Sequence, residues 1–218
     1  VLMREIADAV RQDEYASLAS RYGKPALAAV VLGLAAFGGY LLWENYREGQ
    51  REERSEQFIA ALDQLEAGNL GPASDALDPV IADGGGDVAA IARMLKAGIA
   101  LEQNDAAGAA RMFAAVAASS DAPQPLRELA TVREVAATYD TLPPAQVIAR
   151  LRSIAVPGNQ YFGSAGELVA MAHLEQGNRR EAGALFAAIA KHEGVPETLR
   201  ARTRQMAGLL GVDAIEDV

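Results

Sequence analysis

The sequence predicts an all-α chain: a short amphipathic N-terminal segment, one membrane-spanning helix, and a solenoid of about four helix pairs closed by a capping helix. Three observations predict it. The composition is rich in Ala, with 6% aromatic and 22% charged residues, and no Asn-Gly or Asp-Gly turn joins two alternating apolar runs. The stretch from Pro25 to Trp43 contains no charge. From Leu65 onward one pattern returns about every 36 residues.

Residues 1–24 come first. Ile6, Val10, Leu18 and Tyr22 are four or eight apart and form one apolar stripe on a short helix, which fits a membrane surface, a partner or a frayed terminus equally. Residues 25–43 then supply roughly 28 Å of helix at about 1.5 Å per residue, close to the thickness of a hydrocarbon layer. Tyr22 and Lys24 mark one end of this span and Tyr40, Trp43 and Tyr46 the other, where amphipathic rings sit at a lipid headgroup boundary. A cleaved signal would carry a shorter apolar core and a small-residue exit. Here the span runs into the charged "WENYREGQREER" instead. The expectation is an uncleaved single-pass anchor in contact with membrane lipid. Its orientation is not readable from charge: Arg11, Arg21 and Lys24 on one side balance Arg47, Arg51 and Arg54 on the other.

Residues 44–218 hold the repeats. "LEAGNLGPASDALDPVIADG" from Leu65, "LEQNDAAGAARMFAAVAASSD" from Leu101 and "LEQGNRREAGALFAAIAKHEG" from Leu174 read alike, and a degenerate copy, "ATYDTLPPAQVIARLRSIAVPG", begins near residue 137. In each unit a first helix is expected to end at Gly68, Asn104, Asp140 or Gly177, residue types that accept a left-handed turn. A second helix follows, with Ala73, Ala109, Ala145 or Ala182 where two helices approach closely. Four residues later comes Leu77, Phe113 or Phe186, with Ala149 in the degenerate unit. "DGGGD", "DAPQP", "VPGN" and "GVP" separate the units, and Pro123 and Pro196 suit first helical turns. "PETLRARTRQMAGLLG" reads as the cap over the last apolar face.

A helix-turn-helix unit of this length with this Gly, Ala, Phe order resembles the tetratricopeptide repeat. The order of parts goes further. "REIADAVRQDEYASLASRYGKP", one anchor, the charged "ENYREGQREERSEQF" and then degenerate repeats resemble the bacterial ancillary SecYEG translocon subunit family over essentially the whole chain, most specifically in "VRQD…RYG" before the span. The resemblance implies an inner-membrane protein with a cytoplasmic N-terminus and a periplasmic repeat domain. It also implies association with Sec translocon subunits and with a membrane-anchored periplasmic chaperone of the prolyl-isomerase type.

No catalytic pattern is present in the sequence. The chain lacks Cys, which removes disulfides, thiolate metal sites and a Cys nucleophile. His173 and His192 have no metal-ligand spacing, and "GGGD" lacks the strand and Lys of a phosphate loop. The expectation is a non-enzyme with no cofactor, no metal and no small-molecule substrate. The net charge of −9 falls wholly on residues 44–218, because residues 1–43 carry four basic and four acidic groups. That balance repels phosphate backbones, which argues against nucleic acid, and reads first as a solvated surface rather than as a site for a basic partner.

What remains is binding. Stacked helix pairs present an extended concave surface, usually lined by the first helix of each unit. Arg93, Lys96, Arg127, Arg133 and Tyr139 are its expected polar and aromatic lining. In "NQYFGSAGE" one of the adjacent Tyr161 and Phe162 is expected to enter the core while the other stays available. The functional expectation is a membrane-anchored scaffold at the translocon, holding a periplasmic chaperone or an emerging chain. An accessory structural subunit of another inner-membrane complex and an envelope-assembly adaptor are the alternatives.

Overall fold

The computed structural model describes residues 37–41, 43, 44, 49, 53 and 55–213. The chain divides into two compact units, Val1–Glu53 and Arg54–Val218. In the first, the described residues are helical; Phe37, Tyr40, Leu41 and Trp43 are exposed, and the Tyr40 and Trp43 rings lie 6.4 Å apart. Segment 1–24 and most of the span expected over 25–43 lie outside the described residues. Among the described residues, no helix is long and apolar enough to cross a membrane.

The described part of the second unit is helical throughout, without a strand. A first helix, α1, covers 55–66, followed by α2 (Leu70–Asp83), α3 (Gly86–Glu102), α4 (Ala106–Ala117) and α5 (Gln124–Ala137). A single 3-10 turn, Tyr139–Thr141, leads into α6 (Pro144–Leu151), and α7 (Phe162–Glu175), α8 (Arg179–Lys191) and α9 (Glu197–Leu209) complete the unit. Neighbours in sequence pack as antiparallel pairs, and α3, α5, α7 and α9 also touch in succession. This is the expected solenoid of four pairs and a cap.

Each tight reversal has a common cause. Gly68, Asn104 and Gly177 take φ values of 77°, 63° and 77°, a region in which Gly and Asn are least strained. Their N–H groups donate to the carbonyls of Leu65, Leu101 and Leu174, and the next N–H reaches back to Gln64, Ala100 and His173 at 2.8 Å in each case. These bonds satisfy carbonyls that a helix end leaves orphaned. The second helix starts two residues after the left-handed residue, and in α4 the Asp105 carboxylate accepts from Gly108 N–H at 2.7 Å to cap it.

Such short links bring the two helices of a pair close together, so the fourth residue of each second helix must be small or well fitted. Ala73, Ala109 and Ala182 are fully buried there, and the eighth residue, Leu77, Phe113 or Phe186, closes the layer. The degenerate unit departs from the expectation. Asp140 does not take a left-handed turn; it lies in the 3-10 turn, and Pro143 follows before α6 begins at Pro144. The longer link shifts the register by two residues. Ala145 and Ala149 are exposed, while Val147 and Leu151, the fourth and eighth residues of α6, are buried against Val132, Val135, Ala165, Val169 and Ala172.

The "GGGD" segment also acquires a physical reason. A Cβ at Gly84 would lie 2.4 Å from the Val80 carbonyl oxygen, and one at Gly86 would lie 2.3 Å from that of Asp121, whereas Gly85 meets only a side-chain oxygen at 3.7 Å. The outer two glycines admit close backbone approach, and the one at 86 seats α3 against the segment before α5.

Two stability measurements follow. Leu151→Ala should cost about 2–5 kcal/mol in chemical denaturation, and Ala149→Ser less than about 0.5 kcal/mol. The reverse order would mean that α6 sits in the register read from the repeats. Gly86→Ala should cost about 1–3 kcal/mol through backbone displacement, while Gly85→Ala stays near neutral; equal effects would contradict the close approach at residue 86.

Candidate protein-interaction face

The inner odd-numbered helices α3, α5 and α7 pack against neighbours on most of their surface, so the arc left over is the face available to another molecule. On α3, Ala92, Leu95 and Ile99 pack with α1 and α2, Ala90 and Met94 with α4 and α5, and Ala97, Ala100 and Leu101 with α4. Ile91, Gly98 and Glu102 remain, spaced seven and four residues apart, which places them on one arc of a helix.

The same spacing recurs on α7. There Ala165, Val169 and Ala172 face α5 and α6, Ala170 and Leu174 face α8, and Glu167 binds Arg202 of α9 through two bonds of 2.6 Å. Ser164, Met171 and Glu175 are left. On α5, Val132 and Val135 face α6 and α7, and Leu126 and Ala130 face α3 and α4. Glu134 binds Arg150 of α6 at 2.5 Å, and Glu128 accepts from Asn159 at 2.9 Å. Half-buried Leu129 and exposed Ala136 are left, with Asp140 continuing their line and exposed Arg133 beside them. With Phe58, Ala61 and Leu65 of α1 in the core, Ser55, Leu62 and Glu66 stand on the corresponding arc, again seven and four apart, with exposed Ile59 beside them. On α9 the corresponding residues are Thr198, Gln205 and Leu209.

The result is an ordered face carrying two rows. Several of its apolar residues are open to solvent: Leu62 is 37% exposed, Ile91 45%, Met171 38% and Leu209 78%. Beside them runs a row of exposed carboxylates, Glu66, Glu102, Asp140 and Glu175, one per repeat, each at the C-terminal end of its odd-numbered helix or in the turn that follows.

The residues expected to line the surface fall in different places. Arg133 is exposed on the open face. Lys96 instead pairs with Asp78 of α2 and so faces the other helix of its pair. Arg93, half-buried, lies on the same side of α3 as Lys96, three residues from it. Arg127 turns to the Ala122 carbonyl at 2.7 Å and holds the start of α5. Phe162 is 1% exposed, packed with Ile189 and Val195 and edge-on to His192 at 5.3 Å, so it belongs to the core. Tyr161 is half-buried against the core formed by α5, α6 and α7, and burial, with Glu128 nearby, raises its phenol above the ordinary range. Of the residues expected at a membrane boundary, Tyr40 and Trp43 are exposed, while Tyr22, Lys24 and Tyr46 lie outside the described residues.

Tyr139 lies at the edge of the face. Its hydroxyl is enclosed beside Glu175 without a well-formed hydrogen bond. Burial first, then the Glu175 and Asp140 carboxylates, hold this phenol well above its usual value. Arg202 is also raised, first by its bond to Glu167. The two histidines sit apart from any cluster. His192 follows α8 and accepts from Gly194 N–H at 3.2 Å, and His173 is half-buried with Nδ1 enclosed and unpartnered. Among the described residues no group of three or more His, Cys, Asp and Glu is placed to hold a metal.

The sign of the Tyr139 effect is fixed by its direction. A phenol whose folded pKa exceeds the unfolded one stabilises the fold below about pH 10, and that contribution is lost as pH rises further. Tyr139→Phe should change stability at neutral pH by less than about 1 kcal/mol, since the hydroxyl has no formed bond to lose. It should also flatten the alkaline decline followed by circular dichroism. An unchanged alkaline decline would show that Tyr139 does not titrate in this way.

The tetratricopeptide repeat-like domain family matches residues 17–207, most of the chain. No curated protein matches the chain, and no solved structure matches it. The chain belongs to the tetratricopeptide repeat-like domain family, whose stacked helix pairs generally serve protein interaction rather than catalysis.

Proposed function

We propose that the protein is a non-catalytic scaffold tethered to a bacterial inner membrane, with its N-terminus in the cytoplasm and its repeat unit in the periplasm. In this reading the repeat unit holds a membrane-anchored periplasmic chaperone or an emerging polypeptide beside the Sec translocon. The observation that carries the scaffold reading is the open face of the odd-numbered helices, where Leu62, Ile91, Met171 and Leu209 stay exposed instead of entering the core. The tether rests on the uncharged stretch 25–43 and its aromatic flanks. The Sec partnership rests on the likeness of the whole arrangement, "VRQD…RYG" included, to the ancillary translocon subunits. A tether of this kind adds effective concentration to a groove of modest affinity.

The test is a tag after Val218, crosslinking in intact membranes, gentle solubilisation and mass spectrometry. Sec channel subunits recovered together with a periplasmic chaperone, and lost when Ile91 and Met171 are both changed to Ser, would support the reading. Recovery of a different membrane complex in fixed stoichiometry, without Sec components, would overturn it.

A further inference from the structure

The row Glu66, Glu102, Asp140 and Glu175 is unusual because of where it sits. The C-terminal end of a helix carries partial negative charge from its free carbonyls, so an acid there is mildly unfavourable and a cation is favoured. Yet three repeats end their first helix on an exposed carboxylate and the fourth places one in the turn that follows, and none of the four forms an ion pair among the described residues. On other faces Asp78, Glu134, Glu167 and Glu197 have a basic partner, whereas Asp75, Asp83 and Glu193 also stand without an ion pair among the described residues, so it is the alignment of the four carboxylates along one face that sets the row apart. The row also runs directly along the exposed apolar positions of the same face.

We propose that this face takes a cationic polypeptide segment, with its basic side chains on the carboxylate row and its apolar side chains over Leu62, Ile91 and Met171. This rests on the scaffold reading above and specifies the partner's chemistry. Charge complementarity selects the occupant: a second copy of this acidic chain, or an acidic segment, would set like charges against the row. Packed helices lie about 8–10 Å apart, which an extended segment rising about 3.1 Å per residue spans in about three residues. The occupant is therefore an extended chain with a basic residue at about every third position and apolar residues between.

The experiment is fluorescence anisotropy on the full chain in neutral detergent, using a labelled peptide of Lys-Leu-Ala repeats and a second peptide in which every Lys is Gln. Binding of the Lys peptide should weaken about tenfold or more when Glu66→Gln, Glu102→Gln, Asp140→Asn and Glu175→Gln are combined, and it should also weaken with added salt. A control combining Asp75→Asn, Asp83→Asn, Glu181→Gln and Glu193→Gln removes the same charge elsewhere and should leave binding within about twofold. The row variant should melt no lower than the parent, since neutralising acids at helix C-termini relieves the dipole. Equal weakening by the control, or row-independent binding, would overturn the proposal. If the Gln peptide binds as well as the Lys peptide and both are lost with Ile91→Ser and Met171→Ser, the charge assignment fails while the scaffold reading stands. If neither peptide binds, the cationic-segment proposal fails, and the scaffold reading stands or falls on the crosslinking experiment above.

Discussion

The close approach of two helices across a three-residue reversal is the constraint on which the repeat unit depends. A left-handed residue at 68, 104 or 177 turns the chain and lets two backbone N–H groups satisfy the carbonyls of the outgoing helix. The next helix then starts so near the first that its fourth residue has room for little more than a methyl group. Ala73, Ala109 and Ala182 answer that limit, and a Leu or Phe one turn later fills the space that opens beyond it.

This geometry determines which residues are left for a partner. Because the inner first helices α3, α5 and α7 are packed on both flanks and against their second helices, one narrow arc of each stays open, sampled at a spacing of seven and then four residues. The arc holds an apolar row and a carboxylate row, while most of the positively charged side chains that look available in the sequence, Arg133 excepted, are turned elsewhere. Lys96 and Arg150 pair with Asp78 and Glu134, and Arg127 secures a loop carbonyl. The face is thereby more negative than the helix sequences read individually suggest.

The helix pairs, and in three of the four units the turn residue and the buried Ala with its Leu or Phe, are legible in the sequence because they repeat at fixed period. The α6 register is not, since the 3-10 turn and Pro143 lengthen a link whose effect on phase shows only when α6 is placed against α5 and α7. The site was only partly legible. Arg93, Lys96, Arg127 and Arg133 all lie on the expected helices, but helix membership does not set the facing arc, and only Arg133 is on the open one. The acid row carried a signal that could have been followed: Glu66, Glu102 and Glu175 stand two residues before the left-handed turn in three aligned repeats. Taken as overall acidity, that signal reads as solvation.

The central claim is that the open arc of the odd-numbered helices is the working surface. A photoreactive amino acid introduced singly at Ala136 or Met171 on that arc, and at Asp75 or Ala184 on second helices, tests it in intact cells. Crosslinks to one partner polypeptide from Ala136 and Met171, with none from Asp75 and Ala184, are the predicted result. The same partner captured from Asp75 or Ala184, with Ala136 and Met171 silent, would contradict it.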